Sequence, residues 1–247
     1  ELDSGSGPGG RILSFDVANA GVSSTEARSI PISKMRRAIA KNLQYSKQNV
    51  PHFYVKATVE AQKLFEVYTE TKADKFKCSL NDFIILATAR AVSQYPEFRS
   101  QYKETEILEL PTANIGIAVG TDNGLTVPVI LAADKMTLGQ LAEKTVQVVE
   151  SARAGKLEGV GQGVFTITNL GMFGTEDFSA IINPPESGIL AVGAIREGVK
   201  VENGAIRPTR LMNMTLSADH RVVDGVVAAK FMQTLQQLLE SPQELLR

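Results

Sequence analysis

From about residue 28 onward, apolar positions recur in two rhythms. Phe53, Val55, Ala57 and Val59 alternate with Tyr54, Lys56, Thr58 and Glu60, the period of two that a half-buried strand requires. Ahead of it, Met35, Ile39 and Leu43 recur one helical turn apart behind Ser33, which predicts a capped helix with Lys34, Arg37 and Lys41 on its basic outer face. A second helix is expected from about Gln62. Ser79 and Asp82 have the spacing of a capping box before Phe83-Ile84-Ile85-Leu86, and this third helix runs to about Gln94, short of Pro96. It is apolar nearly all round, so it belongs at the centre. Residues 114–120 and 125–131 flank Thr121-Asp122-Asn123-Gly124, whose Asn-Gly pair predicts a hairpin, with Pro128 marking an edge or a bulge in the second arm. Thr137 and Gln140 cap a further amphipathic helix that Gly155 ends. Strands are expected near 164–169, 188–194 and 211–217, and a closing helix from 224 to about 240. Without strict alternation of the two element types, and without an internal repeat, this mixture predicts an α+β fold: a two-layer sandwich of a mixed sheet with packed helices.

Residues 1–27 lack either rhythm. They are rich in Gly, Ser, Asp and Glu and read as a linker or the stub of another domain, which leaves 28–247 as the folded body. Of 247 residues, 43% are hydrophobic and 21% charged, an ordinary globular balance. The one cysteine, Cys78, has no partner for an internal bridge and fits a reducing compartment. No apolar run approaches the roughly 20 residues that span a bilayer, and no basic-then-apolar leader opens the chain, so a soluble intracellular protein is expected. Twenty-six basic residues against 27 acidic ones leave no broad face for phosphates, which argues against nucleic acid. Two histidines leave no room for a histidine metal cluster, so no metal is expected.

One of those histidines, His220, lies in Ser217-Ala218-Asp219-His220-Arg221-Val222-Val223-Asp224-Gly225, between an expected strand and an expected helix. Such loops hold reactive groups on rigid supports, and an imidazole can take a proton from a thiol or hydroxyl near neutral pH. A hydrogen-bonded loop histidine is the bland alternative, and Asp224 stands where it would cap the closing helix whether or not it serves catalysis. His52, after Pro51 at a strand start, reads as structural. Thr168 by itself reads as a strand threonine. Gly171 and Gly174 bound a turn that admits a substrate to the backbone, since no strand-Gly-x-Gly-x-x-Gly-helix context supports a dinucleotide site.

The run from Asp219 to Gly225 resembles the His-x-x-x-Asp-Gly motif of the dihydrolipoamide acyltransferases, the core components of 2-oxo acid dehydrogenase complexes. Val50-Pro51-His52-Phe53-Tyr54, Asn114-Ile115-Gly116-Ile117-Ala118-Val119, Gly124-Leu125-Thr126-Val127-Pro128-Val129, Phe165-Thr166-Ile167-Thr168-Asn169-Leu170-Gly171-Met172-Phe173-Gly174 and Ala180-Ile181-Ile182-Asn183-Pro184-Pro185 resemble the same family in the same order. The resemblance covers the chain from about residue 28 and implies a chloramphenicol-acetyltransferase-like fold. It makes His220 the general base, Thr168 the hydroxyl on the oxyanion and Asp224 the third group of the site. Coenzyme A is then a substrate, with Lys34 and Arg37 as candidate contacts for its phosphates, and the acyl donor is a lipoyl group on a domain absent from this chain. Gly5-Ser6-Gly7-Pro8-Gly9-Gly10-Arg11-Ile12-Leu13 looks like the end of the peripheral-subunit-binding domain that precedes this one in the family. The implied partners are two further copies in a homotrimer that assembles into a larger core, together with the 2-oxo acid dehydrogenase and dihydrolipoamide dehydrogenase components, bound through N-terminal domains. The implied compartment is the bacterial cytoplasm or the mitochondrial matrix. Among acyl groups the segment from Asn169 to Pro185 looks most like the acetyl-transferring, pyruvate branch, with succinyl next. A non-catalytic scaffold subunit and an antibiotic acetyltransferase are the rival readings, and the intact His220, Thr168 and Asp224 count against the first.

Overall fold

A computed structural model of the chain describes residues 5–14, 16, 27–73, 77–121 and 124–246. The chain divides into two compact units, Glu1–Ser33 and Lys34–Arg247. In the first, a 3-10 turn at Pro8–Gly10 is closed by a bridge between Gly7 and Arg11, and the Asp16 carboxylate accepts the backbone N–H groups of Ser6 and Leu13, each at 2.8 Å. Residues 17–26, most of the latter part of the expected linker, lie outside the described residues.

The second unit opens with helix α1 (Lys34–Asn49), strand β1 (His52–Glu60) and helices α2 (Gln62–Ala73) and α3 (Leu80–Gln94). There follow a ribbon of β2 (Ser100–Lys103) and β3 (Glu106–Glu109), then four short strands, β4 (Ile115–Ile117), β5 (Val119–Thr121), β6 (Gly124–Thr126) and β7 (Val129–Ile130). Helix α4 (Leu138–Arg153), strand β8 (Phe165–Asn169), the long strands β9 (Gly188–Glu202) and β10 (Ala205–Asp219) and helix α5 (Gly225–Glu240) complete it. Both expected capping boxes form: the Ser79 hydroxyl accepts the Asp82 N–H while the Asp82 carboxylate accepts that of Ser79, and Thr137 and Gln140 do the same for α4. Gly155, at φ +81°, ends α4 as expected.

Six strands form one mixed sheet in the order β1-β10-β9-β8-β4-β7, with β8 parallel to both β9 and β4 and the other pairs antiparallel. Alternation sorts its two faces. Phe165, Ile167, Leu190, Val192, Met214, Leu216 and Ala218 point into the main core, where α5 packs on β1 and α3, and α3 packs on α4. Phe98, Phe165 and Phe231 form its aromatic centre, with ring centroids 4.2–5.7 Å apart. The opposite face presents Thr166, Thr168, Thr215 and Ser217 and is crossed by residues 175–187. Thr215 donates to Asp177 and Ser217 to the Ala180 carbonyl, both at 2.8 Å.

Three features depart from the pattern expected. The hairpin of 114–120 with 125–131 keeps a single register, from Ile115 opposite Ile130 to Val119 opposite Thr126, yet it divides between the main sheet and a separate two-stranded ribbon at Ala118 and Pro128. Pro128 offers no N–H to a ladder, and the strand that follows it is the sheet edge. Its Asp122-Asn123 tip lies outside the described residues. Strands β9 and β10 run far past the expected 194 and 211 and meet at Asn203 (φ +51°) and Gly204 (φ +77°), the two left-handed residues that a tight hairpin turn requires. The β2–β3 ribbon was not expected at all, because its residues are mostly polar and exposed.

Candidate functional site

His220 follows the last residue of β10, and its loop is held from several directions. Its backbone N–H donates to the Pro51 carbonyl at 3.0 Å, while those of Val222 and Val223 donate to the Asp219 carbonyl at 3.0 and 2.9 Å. Asp219 is buried, and its carboxylate grips Arg221 two residues on: Arg221 Nε donates to Oδ1 at 2.9 Å, Nη2 to Oδ2 at 2.7 Å, and the Arg221 backbone N–H to Oδ1 at 3.0 Å. This planar, bidentate pairing is what a guanidinium provides and an ammonium does not. The imidazole itself is exposed, rests on Phe53 with ring centroids 4.5 Å apart, and makes no hydrogen bond among the described residues. Both of its nitrogens are available to a ligand.

Thr168 is half-buried near the end of β8. It pairs with Ala191, which pairs with Thr215, so it stands two strands across from β10 and level with a residue five positions before His220. At about 4.8 Å between strands and 3.3 Å per residue, Thr168 and His220 lie roughly 19 Å apart within one chain. They also differ in side, since the Thr168 side chain is on the face opposite the core and His220 packs on Phe53 of the core face. One chain does not bring them together.

Asp224 occupies the position before the first turn of α5 with extended dihedrals, but its side chain makes no capping hydrogen bond. The capping role expected for it is therefore corrected. Gly225 and Val226, in the first turn, are exposed to solvent, so the helix start does not need the carboxylate as a partner. Lys34 and Arg37 are exposed on the first turn of α1. From that helix, Asn42, Tyr45 and Asn49 line the cleft beside the His220 loop, so the two cations stand at least a turn away from it. His52 is structural as expected: Nδ1 lies 2.7 Å from the Val50 carbonyl, and Nε2 accepts the Ile182 N–H at 3.0 Å, which fixes the tautomer. The turn at Gly171–Phe173 forms, but Gly171 is required by packing, because a Cβ there would sit 2.7 Å from the Gly193 carbonyl oxygen.

The cleft, about 630 Å³, is also bordered by Tyr102, Glu186, Asp219 and Arg221. Glu186 is 3% exposed and gave no signal in the sequence. Burial pushes its carboxyl up to about 7, against the opposing effect of hydrogen bonds from Thr166 Oγ1 at 2.5 Å and Asn183 Nδ2 at 3.0 Å. Gly163 makes room for it, since a Cβ there would lie 2.6 Å from Oε1. The Asp219–Arg221 pair was also missed, although both residues flank His220 in the motif. Among the described residues there is no group of three or more metal-ligating side chains, and no helix is long and apolar enough to cross a membrane.

The chain is similar to the dihydrolipoyllysine-residue acetyltransferase component of the pyruvate dehydrogenase complex of Rickettsia prowazekii, 37% identical over 96% of this chain and 62% of that one. It is 39% identical to the mitochondrial component of the same name from Caenorhabditis elegans, over 98% and 52%. It thus spans between half and two thirds of the length of these relatives. A crystallographic study of Azotobacter vinelandii dihydrolipoamide acetyltransferase, concerned with a serine, a histidine and an asparagine in that enzyme's mechanism, gives a TM-score of 0.84 at 31% identity, covering 90% and 95% of the two chains. The cubic core of a pyruvate dehydrogenase multienzyme complex matches at 0.84 and 30%, with the same coverage. A chloramphenicol acetyltransferase, 13% identical with a TM-score of 0.51 over 87% and 99%, shares the fold. The family model described as 2-oxoacid dehydrogenases acyltransferase (catalytic domain) matches residues 24–247, and the chain belongs to that family.

Proposed function

We propose that this chain transfers an acetyl group from a dihydrolipoyl arm to coenzyme A and builds the oligomeric core of a 2-oxo acid dehydrogenase complex. His220 carries the reading: an exposed, unbonded imidazole on a clamped loop, in a chain where Thr168, His220 and Asp224 have the same order and spacings as the serine, histidine and asparagine of the Azotobacter enzyme. A threonine keeps the hydroxyl of that serine. An aspartate replaces the asparagine and keeps one acceptor oxygen in place.

In the proposed reaction His220 takes the thiol proton as the coenzyme A sulfur attacks the acetyl thioester. The tetrahedral intermediate carries a negative oxygen, which the Thr168 hydroxyl meets as donor. On collapse the lipoyl sulfur leaves and recovers the proton from His220, so acyl group and proton both balance. Lys34 and Arg37 are offered to the phosphates, with Tyr45 about 16 Å from the first and about 12 Å from the second along α1 toward the histidine loop, a span suited to a long thiol substrate. The peripheral dehydrogenase components bind through N-terminal domains, and the compartment is the bacterial cytoplasm or the mitochondrial matrix, in keeping with the sources of the relatives.

Because Thr168 and His220 are so far apart in one chain, the site requires Thr168 from one copy and His220 from its neighbour. His220→Ala and Thr168→Ala chains are each expected to fall to about a hundredth of the wild-type rate or below in transfer from S-acetyldihydrolipoamide to coenzyme A. Mixed in equal amounts with subunit exchange, they are expected to recover about a quarter of the wild-type sites, the fraction of random interfaces that pair two intact groups. No recovery despite proven exchange overturns the shared site, and an inactive wild-type assembly overturns the activity.

A further inference from the structure

We infer that Tyr102, on the β2–β3 ribbon, is a positioning residue for His220 and acts through the guanidinium of Arg221. Resting on the proposed general base, this deepens that reading. His220 lies between the two partners of the Asp219–Arg221 pair, so the arginine folded back on the aspartate closes a ring around the His220 peptide. With no hydrogen bond to its ring among the described residues, the imidazole takes its orientation from this backbone and from Phe53. Asp219 is buried and fixed from below. The Arg221 side chain is 29% exposed, and the Tyr102 ring lies against it, 4.2 Å from guanidinium carbon to ring centroid. A guanidinium held between a carboxylate and an aromatic face cannot swing into solvent without losing both.

The ribbon is a firm support. It begins beside Phe98, buried in the aromatic centre of the core, and its base is tied by Arg99, which donates to the Leu110 carbonyl at 2.7 Å and pairs with Glu109 at 2.9 Å. Tyr102 thereby links the core to the catalytic loop from outside the six-stranded sheet, more than a hundred residues from the motif.

Two readouts test this on the full chain: steady-state acetyl transfer, and amide hydrogen exchange of the peptide covering 220–223. Tyr102→Ala is expected to lower kcat roughly tenfold with KM for both substrates within about twofold, and to speed exchange in 220–223 while that of 211–217 is unchanged. Tyr102→Phe keeps the ring under the guanidinium and is expected to restore both. Unchanged kcat and exchange in Tyr102→Ala overturn the inference. So does a raised KM at unchanged kcat and exchange, which would make Tyr102 a wall of the cleft only. Faster exchange in an assembly whose wild type transfers no acetyl group upholds the clamp and overturns the activity.

Discussion

Replacing Glu186 by glutamine should remove a loss of stability that the wild type suffers as pH rises across the neutral range. The carboxyl is 3% exposed and burial raises it to about 7, whereas an unfolded chain restores the ordinary 4.5. Between those values the folded state holds a proton that the unfolded state has lost, so stability falls as pH rises, and it levels off above the folded value. A shift of about 2.5 pH units at 1.36 kcal/mol each amounts to about 3 kcal/mol, of which roughly 2.5 falls between pH 5 and 8. Glutamine keeps an oxygen for the Asn183 amide and turns an N–H toward Thr166, whose hydroxyl accepts as readily as it donates. Glu186→Gln therefore lacks the buried charge at high pH and most of the packing cost of a smaller side chain. Urea unfolding at pH 5 and pH 8, at one protein concentration because assembly adds to stability, measures the difference. The variant should gain on the wild type by about 2 to 3 kcal/mol between the two pH values. A difference that stays flat with pH would refute the buried, neutral carboxyl.

Thr168→Ala should lower turnover about a hundredfold with little change in coenzyme A affinity, and Thr168→Ser should be mild, because a donor is needed mainly when charge develops on the oxygen. Equal behaviour of the two variants in the transfer assay would remove the oxyanion role. Asp224→Ala should cost activity at a melting temperature within about 1 °C of wild type, since the side chain makes no cap, and Asp224→Asn should retain most of the activity. A fall of about 2 to 4 °C, the worth of a lost cap at this size, would show that the carboxylate caps α5 in solution.

What neighbouring residues decide is legible in the chain alone. Ser79 with Asp82 and Thr137 with Gln140 satisfy helix-start N–H groups within one turn. The alternation from Phe53 to Val59 selects one face of β1, and α3 is apolar all round because it is buried all round. Asn203-Gly204 has the same local character, yet the strands it joins are exposed and mix charged with apolar residues, so their pattern stops at 194 and 211. For the site, residue pattern alone left His220 a loop histidine and Thr168 a strand threonine, and only the resemblance gave them roles.

Tertiary structure decided what depends on residues far apart in the chain. The order β1-β10-β9-β8 sets Thr168 two strands away from β10, whose end carries His220, a separation that no spacing along the chain encodes. Glu186 reads as one more acid until Thr166 and Asn183 close around it, and Tyr102 as one more exposed aromatic until Arg221 lies against it. Asp224 has the residue type and position of a cap, yet at a helix start exposed to solvent its side chain makes none. Capping and alternation act over a few residues, where the chain is its own neighbour. Burial, strand order and the company of a charged group are set by the whole fold.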